Sequence, residues 1–103
     1  IYGDEILHRS GISPIRPADR VSSAQSTRLH TAIHRVLTEA IAAGGSTLSD
    51  AQYVDLMGAS GSFQDSHLVY GRSGEPCLSC GRGRIVSRVV GGRTTSWCRV
   101  CQR

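Results

Sequence analysis

The stretch CLSCGRGRIVSRVVGGRTTSWCRVC, residues 77–101, holds all four cysteines of the chain as C-x2-C, seventeen intervening residues and C-x2-C. Two such pairs close on one ion from the ends of an antiparallel hairpin, the spacing of a zinc ribbon. A C-x2-C turn lets both thiolates of a pair point to one side, and zinc takes four such soft donors as a tetrahedron. The candidate metal ligands are therefore Cys77, Cys80, Cys98 and Cys101, holding one structural Zn2+. The competing reading is two disulfides of a secreted domain. Small secreted scaffolds, however, spread cysteines along the chain, whereas the first 76 residues here have none.

Between the pairs, RIVSRVV alternates weakly, Gly91 and Gly92 supply a turn, and RTTSW returns towards Cys98, which predicts a β-hairpin. Arg93 then falls at or just after the tip, the part of the ribbon furthest from the metal. By position alone it reads as a solvated arginine beside a turn. Trp97, beside Cys98, is expected to pack over the ribbon rather than offer a stacking platform.

Charge separates this segment from the rest. Residues 77–103 carry six Arg and no acid, whereas residues 1–76 carry six Arg against eight acids, a net −2. All twelve basic residues are Arg. Arginine-favouring codon usage would explain that composition but not the clustering, which reads as an electrostatic footprint for nucleic acid. At 103 residues, 39% hydrophobic and 19% charged, the chain reads as globular, one domain or two small lobes. No apolar run approaches a membrane span and no leader pattern precedes the first helical stretch, so the expectation is a reducing cytosol and no membrane partner; the chain is expected to be a monomer.

Upstream, IYGDEILHRSGI places Asp4 and Glu5 early and His8 and Arg9 late, a short helix aligned with its dipole and stopped by Gly11. Asp4 and Glu5 are neighbours about 100° apart on such a helix and are expected to stabilise its N-terminus rather than act as a catalytic pair. Pro14 and Pro17 force an extended connection. Ser22 and Gln25 form a capping box, and Leu29, Ala32, Ile33, Val36, Leu37, Ala40 and Ile41 recur at helical spacing until Gly44 and Gly45. Residues 46–68 read as a surface loop with Tyr53, Val54, Leu56, Met57 and Phe63 as partial anchors. His30 and His34 lie one turn apart without a carboxylate pattern, and four cysteines already satisfy a zinc, so a second metal site is not expected. His8 and His67 are likewise not expected to be ligands.

These features in this order, IYGDEIL, SGISPIRPAD, a helix ending EAIAAGG, SFQDSHLVYGRSGEPC and GGRTTSWCRVCQR, resemble the C-terminal half of the formamidopyrimidine-DNA glycosylase and endonuclease VIII family, the formamidopyrimidine branch being favoured. The resemblance implies a mainly α fold with a small β zinc ribbon: a helix-two-turn-helix DNA-binding domain with its C-terminal loop over residues 1–68, and a zinc-ribbon finger over residues 69–103. It implies the DNA-binding half of a base-excision-repair DNA glycosylase and β,δ-elimination AP lyase that removes 8-oxoguanine and formamidopyrimidines from damaged double-stranded DNA after flipping the base. The family's ribbon arginine matches Arg93, with a forked contact to the phosphates flanking the flipped nucleotide. Residues 54–63 resemble the segment that forms a loop over the everted base.

The departures are specific. The family's catalytic amine is an N-terminal proline followed by glutamate, aided by a lysine, whereas this sequence starts with Ile1 and contains no Lys. No catalytic residue is expected in these 103 residues, and the sequence reads as part of a larger enzyme, inactive by itself. Gly3 stands where Ala is common, and Ser62 where Tyr is common. The alternative reading is a non-catalytic zinc-ribbon module that binds nucleic acid or protein.

Overall fold

The computed structural model describes residues 1–48, 54 and 58–103. Two α-helices, α1 (Tyr2–Ser10) and α2 (Ser23–Ala42), precede a two-stranded antiparallel hairpin, β1 (Ile85–Val90) and β2 (Arg93–Cys98). The mainly helical fold with a small β-ribbon is as the sequence predicts.

Helix α1 ends where Gly11 adopts the left-handed conformation, φ 74°, returning its N–H to His8 O. Helix α2 begins with the predicted capping box: Ser22 Oγ accepts from Gln25 N at 3.1 Å and Gln25 Oε1 accepts from Ser22 N at 2.9 Å. Such a cap stabilises a helix by about 1 kcal/mol. At its other end Ala43 and Gly45 carbonyls accept from Ser62 N and Phe63 N, so residues 61–63 cover the helix terminus.

Only part of the apolar periodicity of α2 is buried within the chain. Ala32, Val36 and Ala40, four residues apart, face inward, and Val36 and Ala40 form a core with Phe63 that Tyr2, Ile6 and Ala43 extend. Ile33, Leu37 and Ile41, on the adjoining stripe, remain exposed, Ile41 to 80%. The reading of 46–68 as an irregular loop needs correcting where the structure describes it. Phe63 opens a 3-10 turn (Phe63–Ser66) and is 1% exposed, a core residue rather than a partial anchor. Val54 is exposed and bridges to Ser60; Tyr53, Leu56 and Met57 lie outside the described residues.

The ribbon has its own small core of Val69, Cys77, Ile85 and Cys98, with Trp97 buried nearby. Its register runs from Ile85↔Cys98 to Val90↔Arg93, leaving Gly91 and Gly92 as a two-residue turn with φ 58° and 82°. Both values are positive, the signature of a turn whose twist matches the flanking strands.

Polar groups of α1 tie the ribbon to the helices. Glu5 is fully buried; its carboxylate accepts from the backbone N–H groups of Leu68 (2.6 Å), Val69 (2.9 Å) and Tyr70 (2.8 Å). Asp4 Oδ2 accepts from Ser96 N on β2 at 3.2 Å. His8 bridges Gln102 Oε1 (2.9 Å) and Ser79 Oγ (2.8 Å) through its two ring nitrogens. The acidic pair is structural, as the sequence suggested, but Glu5 and Asp4 serve distant backbone amides rather than only the first turn of their own helix.

Candidate metal centre and nucleic-acid interface

The hairpin register brings Cys98 beside Ile85, and the turn after β2 returns Cys101 to the same end. All four cysteines are free, and their sulfurs lie within 4.8 Å of one another. Cys77 Sγ is 3.7 Å from Cys101 Sγ, and Cys80 Sγ is 3.8 Å from Cys98 Sγ. A tetrahedron with Zn–S near 2.3 Å has an edge of about 3.8 Å, so the cluster fits a four-coordinate ion; a disulfide needs about 2.05 Å.

Local backbone builds this cage. Gly81 N donates to Cys77 O at 2.9 Å, closing the first C-x2-C turn, and Gln102 N donates to Cys98 O at 3.0 Å, closing the second. Gly83 N donates to Cys80 Sγ at 3.3 Å. That amide, with Arg82 N–H, holds the Cys80 thiol down to about 6 from its ordinary 9.0. Burial instead pushes Cys98 and Cys101 up, and their neighbouring thiols add to the effect. Four thiolates at this separation repel one another, and a divalent cation at the centre removes that repulsion. Gly83 also permits the packing, since a Cβ there would stand 2.8 Å from Cys98 Sγ. Gln102 braces the ligand loop from behind: its Oε1 accepts from Cys98 N at 2.9 Å while its Nε2 donates to Ile12 O at 3.0 Å.

Arg93 opens β2, directly after the turn. It is exposed and its side chain makes no hydrogen bond or ion pair among the described residues. Five register steps separate it from Cys98, roughly 17 Å of strand. It borders a cleft of about 570 Å³ with Ile1 at the start of α1, Tyr70, Gly71 and Ser73 of the connecting segment, and Thr94. The ligand cysteines and Arg93 thus occupy opposite ends of one hairpin. His30 and His34 are exposed, with ring centroids 5.0 Å apart, and gather no third metal-binding group among the described residues.

Sequence reasoning passed over Glu5, His8 and Gln102 as joints between helix and ribbon. Their partners across the joint are 63 to 94 residues away in the chain, so a local reading does not reach them. The only local trace is a buried-side carboxylate and imidazole three residues apart on one helix face.

The described residues thus form a helical unit carrying a four-cysteine ribbon, with an exposed arginine at the ribbon's tip. The family model for the formamidopyrimidine-DNA glycosylase H2TH domain matches residues 1–52. The chain belongs to the formamidopyrimidine-DNA glycosylase family. It is 49% identical over 102 residues to the formamidopyrimidine-DNA glycosylase of Thermus thermophilus, covering 99% of this chain and 38% of that protein. It is 46% identical to that of Xanthomonas campestris pv. campestris, covering 100% and 37%. The chain therefore spans somewhat over a third of the length of these relatives. Among solved structures, the MutM (Fpg) protein of Thermus thermophilus superposes with a TM-score of 0.92 over 99% of this chain and 38% of that one, at 49% identity. The Lactococcus lactis Fpg in complex with abasic-site DNA gives 0.87 at 35% identity, over 100% of this chain and 36% of that one.

Proposed function

We propose that this chain is the DNA-gripping part of a base-excision DNA glycosylase and AP lyase acting on oxidised purines, 8-oxoguanine and formamidopyrimidines, in duplex DNA. The relatives named formamidopyrimidine-DNA glycosylase support the enzyme class, and the Lactococcus lactis complexes with abasic-site and FAPY-dG DNA support the ligand. In this reading residues 1–68 are a helix-two-turn-helix domain and residues 69–103 a zinc finger. Cys77, Cys80, Cys98 and Cys101 would hold Zn2+, which supplies a structural cross-link and no chemistry of its own. In this reading the chemistry belongs to residues outside this sequence, which contains no Lys to serve as an amine nucleophile, and the 103 residues alone are expected neither to excise a base nor to form a Schiff base.

The observation that carries the reading is Arg93: exposed, unpaired, and held at the tip of a hairpin whose base the four thiols fix. Its guanidinium offers five N–H donors to adjacent phosphate oxygens, and the cleft it borders has no acid in its lining. Because backbone contacts position rather than specify, Arg93→Ala should weaken binding to lesion and undamaged duplex alike and lower the slope of log K against log[salt] by about 1. Salt titrations of the parent protein, Arg93→Ala and Arg103→Ala decide it. Equal losses in the two variants would make Arg93 one diffuse charge among several and sink the reading.

A further inference from the structure

Along the hairpin lies a second groove that the DNA reading does not use. Strand alternation and the register Val86↔Trp97 put Val86, Arg88 and Trp97 on one face, opposite Ser87, Ser96 and Thr94, of which Ser96 N–H meets Asp4. That first face forms one wall of a groove of about 780 Å³; the α1–α2 connection, from Ser13 to Arg20, forms the other. Five guanidiniums border it: Arg16, Arg20, Arg88, Arg99 and Arg103. No acid lines it, although Asp19 lies beside it in the connection. Arg16 Nε donates to Arg20 O at 3.1 Å; the side chains of the other four make no hydrogen bond or ion pair among the described residues.

Five guanidiniums in one groove repel one another, and like charges so placed favour an anionic partner. Between them the lining sets apolar Ile15, 49% exposed, Pro17, Val86 and Trp97 among polar Ser13, Ser87 and Gln102. A duplex is a wide rigid cylinder whose anionic surface is phosphate and sugar, with nothing to fill an apolar cleft between two walls. An extended peptide alternating carboxylates with large apolar side chains matches both features.

We infer that this groove is a docking site for an acidic protein segment, a run of Asp or Glu around one or two large apolar side chains. Carboxylates pair with the rim arginines in forked contacts while the apolar side chain covers Ile15 and Val86. Arg93 does not line the groove, although the register puts it on the same strand face as Trp97 nearer the tip and Ser87 borders both sites, so a segment seated between Ile15 and Val86 needs no contact with Arg93.

The test is fluorescence anisotropy on the zinc-loaded protein with a labelled peptide of about eight residues, about half of them Asp, around a central Leu-Phe pair. Two control peptides replace the Asp residues by Asn or the Leu-Phe pair by Ser-Ser, and a labelled duplex is titrated in parallel. Both controls should bind at least about tenfold more weakly than the parent peptide. Arg20→Ala combined with Arg88→Ala removes one unpartnered guanidinium from each wall and should weaken the parent peptide at least about tenfold, with Ile15→Ser costing at least about threefold. Arg93→Ala should change peptide binding less than about twofold while weakening the duplex, which separates failure here from failure of the DNA reading. Unchanged zinc content and circular dichroism certify each variant as folded. No peptide binding below about 1 mM, or equal affinity for the Ser-Ser peptide, overturns the proposal. Displacement of the peptide by duplex, with both lost together in the Arg20/Arg88 variant, assigns the groove to nucleic acid instead and overturns it too.

Discussion

At the residue scale, Glu5 shows how a single charge holds two small cores together. A carboxylate taken out of water is costly unless its lone pairs are filled, and three backbone N–H groups fill them here. Glu5→Gln keeps the shape but turns an NH2 group towards those donors, so urea unfolding should show a loss of about 2–3 kcal/mol, and Glu5→Ala a larger one. Amide exchange at Leu68, Val69 and Tyr70 should accelerate in both variants ahead of the rest of the chain. His67 gives the corresponding pH test. Burial holds its pKa below the ordinary 6.5, with Glu5 and Asp65 opposing that shift; its ring lies against Phe63 and Tyr70, and Nε2 meets Ser46 Oγ at 3.1 Å. The fold therefore favours the neutral ring. Below about pH 6.5 the unfolded chain takes up this proton more readily, so stability falls on acidification towards the folded pKa. Between pH 7 and 5 the denaturation midpoint should drop more steeply for the wild type than for His67→Gln, and parallel slopes would exclude His67 as the source.

At the element scale, the local signals written into the sequence reappear where they are self-contained. The Ser22–Gln25 box caps α2, Gly11 ends α1, and Gly91-Gly92 turns the hairpin because each acts within a few residues of itself. Cysteine spacing works the same way, since both C-x2-C turns are closed by hydrogen bonds inside them. Legibility fails where an element is defined by something distant. Phe63 sits in a Gly/Ser-rich stretch with no period, and only its meeting with Val36 and Ala40 makes it core. Seven apolar positions of α2 recur at helical spacing, yet Ile33, Leu37 and Ile41 stay exposed, because periodicity marks an apolar stripe without saying how wide the covering surface is. Gly83 was equally silent in sequence. Gly83→Ala should lower metal affinity at least about tenfold in a competitive chelator titration, because its Cβ would have to displace Cys98 Sγ or the Val100 side chain, while the helical circular dichroism stays near wild type.

At the scale of the whole molecule, two apolar clusters too small to stand alone are joined through a polar seam along α1. Asp4 reaches β2, Glu5 the connecting segment, and His8 both Ser79 and Gln102, so the helix that opens the chain is also the platform for the ribbon. Metal removal should therefore act in two stages. Chelation frees four thiols whose mutual repulsion the ion had offset, and the ribbon, whose core is built partly from those cysteines, loses its fold first. The chain has one tryptophan, Trp97, 3% exposed within β2, so its emission should shift to the red as the ribbon opens. Helix α2, capped and packed on Phe63 in a core that includes no ribbon residue among the described residues, should keep most of its circular dichroism at that point. Loss of the ribbon also strips the partners from Asp4 and His8, so the thermal midpoint of the remaining helical signal should fall by several degrees. Following both signals during a chelator titration distinguishes the two stages. Helical signal lost in step with Trp97 would mean that the seam makes the chain one cooperative unit, and a Trp97 spectrum indifferent to chelation would show that the four thiols hold no ion the fold depends on.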